Sequence, residues 1–238
     1  DGKLNAVQSQ FFKPRKPEGL YNIDEDPHET NNLVNDISYN ETLLDLRSKL
    51  NDHLISINDL SFLPEPHLLE NGLNDIVGYS EKNKDLIKKL IEISDLQLYD
   101  YNEVSSQIKD ALTDNNPWVR YWGLIVCSTF GNQALENKDK ISFIFENDPE
   151  NLVRMRAAEF LILNNFDISD SKINSLLKNS NFEAETNLML NTLANIKTIN
   201  PSYKLNLKKE VFPKNWLPPL RNENALVNRR MNYLTENE

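Results

Sequence analysis

Four carboxylates crowd into the six residues of "DEDPHE" (24–29): Asp24, Glu25, Asp26 and Glu29, with His28 among them. Such a cluster suits a metal site, an acid/base pair or a joint between two structural elements. A calcium loop of the EF-hand type needs Gly at its sixth position and Glu at its twelfth. Counted from Asp24, those positions hold Glu29 and Asn35, so that site is excluded. Helix-start chemistry fits better, with Asp26 as cap, Pro27 in the first helical position and Glu29 closing a capping box. The preceding "GLYNI" (19–23) alternates apolar and polar residues and predicts a strand. The cluster therefore reads as a joint.

Three other groups carry potential chemistry. Cys127 is the one cysteine, and it sits inside the apolar run "WGLIVCSTF", where a thiol packs rather than attacks. His28, His53 and His67 share no ligand-like spacing and read as surface or packing residues. "NPWVRYW" sets Arg120 between Trp118, Tyr121 and Trp122, a composition able to stack and bind a sugar ring or a partner. Helix-pair packing is the competing explanation for the same aromatics, and the stronger one.

The elements around these residues are mostly helical. Gly is only 6 of 238 residues, against a usual share of about 7%. The net charge of −10 argues against nucleic acid as a partner. From residue 201 onward, however, seven Lys/Arg face four Glu. No apolar run reaches the roughly 18 residues of a membrane span, and no signal peptide is visible. The chain opens "DGKLNAVQSQFF", without Met, and reads as a piece of a longer protein. In 40–59, Leu43, Leu46, Leu50, Leu54 and Ile57 recur at helical spacing before the prolines of "SFLPEPH".

The order "LYNI", "DEDPHETNNL", then a helix ending in "NDLSFLPE" resembles the C-terminal end of the sulfatase catalytic domain. The resemblance covers residues 10–67, departs at Asn22 where the family has Asp, and implies a structural last strand and closing helix. The family's nucleophile motif, Cys/Ser-x-Pro/Ala-x-Arg, is not met at Cys127, which is followed by Ser128, Thr129, Phe130 and Gly131. The resemblance thus implies a piece beyond the active site, with no cofactor of its own. The calcium would belong to the parent domain, and the location would be periplasmic or secreted.

Residues 68–200 repeat themselves. "IKDALTDNNPWVRYWGLIVCSTF" (108–130) aligns with "ISFIFENDPENLVRMRAAEFLIL" (141–163), pairing Asp114 with Asp148, Val119 with Val153, Arg120 with Arg154 and Gly123 with Ala157 at an offset of 34. A third copy, with shorter spacing, runs over 173–193. Each copy predicts a helix, a polar turn and a second helix starting at Asn116–Pro117 or Asp148–Pro149. Arg120 and Arg154 are expected to bond the carboxylates of the preceding turn. Small residues at 123, 157 and 158 would let paired helices approach, and 83–98 reads as a leading helix. The wording resembles HEAT repeats.

The expected fold is therefore mostly α. A short α+β segment (1–67) precedes an α-solenoid of HEAT-like helix pairs (68–200). The proline-rich tail (201–238) reads as a strap and short helix docked through Phe212, Trp216 and Leu217. Two functions compete. One is a non-catalytic portion of a sulfatase acting on sulfated polysaccharide, its repeats bracing the missing N-terminal sulfatase domain, shaping its cleft or mediating homo-oligomerisation. The other is a stand-alone protein-binding scaffold. A nucleophile motif upstream in the same polypeptide separates them.

Overall fold

Helix starts and stops written into the chain recur in a computed structural model, which describes residues 3–13, 16–180, 182–216 and 225–235. The chain divides into two compact units, residues 1–59 and 60–238.

The first unit contains α1 (Ala6–Ser9) and α2 (Asn40–Ser56), joined by turns and single 3-10 turns. No strand forms among its described residues, which corrects the α+β expectation for this segment. Leu20 makes two hydrogen bonds across to the 32–33 turn. Its carbonyl accepts from the Leu33 N–H at 2.8 Å and its N–H donates to Asn32 Oδ1 at 3.0 Å. One bond to a backbone and one to a side chain do not make a ladder, and the alternation of Leu20, Tyr21 and Ile23 has no partner edge to extend it.

No helix begins at Asp26 either. Its carboxylate accepts from the backbone N–H groups of Thr30 and Asn31, each at 2.7 Å, and from Thr30 Oγ1 at 2.9 Å. Glu29 adopts φ 51°, a left-handed turn conformation that ends any helical path before a first turn is complete. The joint is a capped turn, and Pro27 and Glu29 hold no helical positions.

The helix expected from the leucine spacing is present as α2, but its stripe is open. Leu43 is buried, whereas Leu46, Leu50 and Ile57 are 47%, 58% and 52% exposed. Phe11, Phe12 and Ile37 are also exposed.

The second unit runs α3 (Glu65–Asn71), α4 (Ile76–Lys82), α5 (Lys84–Ser94), α6 (Tyr101–Leu112), α7 (Pro117–Phe130), α8 (Lys138–Asn147), α9 (Asn151–Leu163), α10 (Asp170–Lys178), α11 (Glu183–Ile199) and α12 (Leu226–Thr235). Residues 60–67 belong to this unit rather than the first. Leu63 is buried in its core, and Trp122 Nε1 donates to the Phe62 carbonyl at 2.7 Å.

Helix α6 packs on α7 and α8 on α9, while α7 packs on α9 and α9 on α11, so the second helix of each copy lines up with the next. Val119, Val153, Ala157 and Ala158 are fully buried. A Cβ on Gly123 would lie 3.1 Å from that of Ala111, so glycine sets the closeness of α6 and α7. Gly131, at φ 55°, ends α7 in a conformation that side chains resist.

Asn116 caps α7 as expected, accepting from Trp118 N–H at 2.9 Å, with Pro117 at the first position. The start of α9 differs. Asp148 accepts from Glu150 N–H at 3.0 Å, so Pro149 precedes the cap and the helix opens at Asn151.

The tail returns to the body. Asn174 of α10 donates to the Asn206 carbonyl and accepts from Lys208 N–H, both at 2.8 Å, standing in for a backbone partner. Phe212, Val227 and Met231 are buried, α12 packs on α11, and Trp216 packs against the core. Leu217 lies outside the described residues.

Candidate functional site

Helix α7 carries all four residues singled out for sugar or partner contact, and the fold engages each one separately. Arg120 holds Asp148 through Nε and Nη2 at 2.7 and 2.9 Å, and its Nη1 donates to the carbonyls of Asp114 and Asn115 at 2.8 and 3.0 Å. Its carboxylate partner is thus in the following turn, not the preceding one, and the guanidinium fork is occupied. Arg154 donates to the Phe145 carbonyl rather than to a carboxylate. Tyr121 Oη accepts from Arg156 Nη2 at 2.9 Å, and the Arg156 guanidinium lies 5.0 Å over the Tyr121 ring. Trp122 stacks at 5.5 Å on Phe62. Trp118 is buried, its ring 4.7 Å from that of His67.

Of these four, Trp118 lines a cavity of about 270 Å³. The cavity opens where α3 meets the starting ends of α7, α9 and α11. Helix α3 brings His67 and Glu70, the α9 start brings Glu150 and Leu152, and the α11 start brings Phe182 and Glu185. Sequence reasoning missed these carboxylates, although the offset of 34 held the signal. Asn116 maps to Glu150 and Trp118 to Leu152, both at the second-helix start, whereas the third copy, with its shorter spacing, brings Glu185 in the first turn of α11.

The polar groups here are differently held. Glu185 is buried and accepts from Ser180 Oγ at 2.9 Å and, at 3.4 Å, from Asn151 Nδ2. Burial first, then the charges of Glu185 and Asp148, push the Glu150 carboxyl above its ordinary range, against the pull of Arg120. Burial lowers the pKa of His67. His67 Nδ1 lies 3.2 Å from Asn71 Nδ2, and its Nε2 lies 2.7 Å from Tyr79 Oη, so both ring nitrogens are engaged as it walls the cavity.

Elsewhere chemistry is muted. Cys127 is fully buried and its thiol is pushed up to about 12 by burial, far from the thiolate a nucleophile needs. Among the described residues no group of three or more His, Cys, Asp or Glu is arranged to hold a metal ion. None of the helices among them is long and apolar enough to cross a membrane.

Over 78 residues, 31% of the chain, it is 41% identical to an ulvan-active sulfatase of Formosa agariphila. Part of this chain is thus similar to part of a sulfatase. The matched stretch spans 13% of that relative's length. No family model and no solved structure matches the chain.

Proposed function

We propose that this chain is the C-terminal, non-catalytic portion of a sulfatase, a sulfuric ester hydrolase acting on sulfated glycans in the periplasm or outside the cell. The identity of 41% over 78 residues carries the reading. One observation supports it. The stripe of α2 lies open in the chain by itself, as a closing helix would before meeting the body it closes.

In this reading residues 1–59 complete the catalytic body, residues 60–200 form a HEAT-like solenoid that braces it, and the tail from residue 201 packs on α10 and α11. In the same reading any calcium belongs to the parent's catalytic domain upstream.

The test compares this chain with its parent polypeptide extended upstream through a Cys/Ser-x-Pro/Ala-x-Arg motif. The longer protein should release sulfate from an aryl sulfate, and this chain alone should release none. Turnover by the chain alone, lost in Cys127→Ala, would overturn the proposal. A parent lacking the motif would leave the scaffold function instead.

A further inference from the structure

A second cavity, of about 80 Å³, is formed by the C-terminal half of α11, the strap at 201–205 and the end of α12. It lies wholly within residues 60–238 and has no part in the hydrolase proposal. Its walls are mainly apolar, with Leu193 of α11 1% exposed and Leu205 and Leu234 half-buried. The polar side chains of its lining are Lys197, Tyr203 and Lys204, with no carboxylate among them. Lys197 Nζ donates to the carbonyls of Tyr233 and Leu234 at 3.1 and 3.0 Å, which leaves a third N–H uncommitted. Lys204 is exposed and makes no ion pair or hydrogen bond among the described residues. The Tyr203 hydroxyl is buried without a hydrogen-bond partner, and burial, then the charges of Asp170 and Asp167, push its pKa up to about 12. Both aspartates line the adjoining cavity and not this one.

We propose that this cavity binds a small organic anion with a short alkyl tail, its head held by Lys204, Lys197 and the Tyr203 hydroxyl and its tail against Leu193, Leu205 and Leu234. Every polar side chain of the lining can donate a hydrogen bond, and two of them carry positive charge. A buried hydroxyl with no partner is costly, and an anionic oxygen would satisfy it while also meeting the two ammonium groups. The apolar walls gain from contact with an alkyl tail and gain nothing from a bare inorganic anion. A cation would meet like charge from both lysines. A neutral alcohol would gain the walls without the ion pairs. The volume suits a chain of a few carbons and is too small for a disaccharide.

The head group can be a carboxylate or a sulfonate, and the experiment separates the two. The full chain, labelled with nitrogen-15, is titrated with sodium butyrate, sodium butanesulfonate, sodium acetate, n-butanol and n-butylammonium chloride at constant ionic strength. The readout is the backbone N–H resonance of Leu205. Saturable shifts with butyrate and butanesulfonate are expected, and none with butanol or butylammonium. Acetate, shorter than butyrate by two methylenes, should bind about tenfold more weakly. Saturation by one of the two butyl anions alone also supports the proposal and assigns the head group. Lys204→Gln, at an exposed and unpaired position, should weaken binding about fivefold while keeping the dispersed spectrum of the folded protein. Tyr203→Phe keeps the ring and should weaken binding without lowering the urea midpoint, because its hydroxyl has no partner to lose. No saturable shift with either butyl anion, an equal affinity for acetate, butanol or butylammonium, a lowered midpoint in Tyr203→Phe, or unchanged affinity in either variant would overturn it.

Discussion

The two units treat the same kind of helix in opposite ways. In residues 60–238 the apolar positions of α7, α9 and α11 close on one another until Val119, Val153 and Met189 are fully buried. In residues 1–59, α2 forms from an equally regular leucine spacing, yet Leu46, Leu50 and Ile57 stay open. Periodicity guarantees a helix and a face. Burial of that face requires a partner, and only the second unit supplies one from its own repeats.

The largest expected contrast is a pair of leucine truncations. Leu161→Ala, at a 3% exposed position, should cost about 2–5 kcal/mol through lost transfer energy and a residual cavity. Leu50→Ala should change stability by no more than about 0.5 kcal/mol, as an exposed site does. All three tryptophans lie in 60–238, so urea unfolding followed by tryptophan fluorescence reads the first variant. Hydrogen exchange of the α2 amides reads the second. Equal costs would mean that α2 is buried after all.

The next contrast concerns two arginine pairs. Arg120→Ala strands Asp148, whose side chain is 4% exposed, and should cost about 3–5 kcal/mol, as loss of one partner from a buried pair does. Arg47→Ala removes the partner of Glu18 at a more open site, where an ion pair is worth about 0–1 kcal/mol. The same two readouts measure both, and a cost under about 1 kcal/mol for Arg120→Ala would show that the turns do not depend on their tie.

The smallest effect is expected at Asp26. The Asn31 N–H, with Thr30, holds its carboxyl below the ordinary value of 3.8. The turn is therefore stabilised above that value, and the benefit is lost as pH falls through the lowered folded-state value. Asp26→Ala should speed hydrogen exchange at Thr30 and Asn31 near neutral pH, equally with calcium and with chelator, and the difference should vanish in acid. Exchange in the unmutated chain that responds to chelator would turn the joint back into an ion site.

Much of the helical unit was legible in the chain. Asn116–Pro117 announced α7 because its cap and its first-position proline act locally. Asp148–Pro149 misled because the Asp148 carboxylate is shared between Glu150 N–H and Arg120, a partner 28 residues away that no local rule registers. "GLYNI" has strand propensity, yet a strand is a property of two segments, and no second one pairs with it. The cavity was hidden for a related reason. Glu150 caps α9 and Glu185 lies in the first turn of α11, and they line one cavity only because successive second helices begin at one edge of the stack.

The ties between turns have a consequence for how such a molecule changes over generations. Arg120 reaches forward to Asp148, and Asn151 reaches forward to the Asn179 carbonyl, both across 28 residues; Lys89 reaches Asp114 in the same sense. Each junction has its own hook and eye, a guanidinium for a carboxylate at one and an amide for a carbonyl at the next. Loss of one whole helix pair would set a hook before the wrong eye, so the order of the pairs is written into these junctions as well as their number.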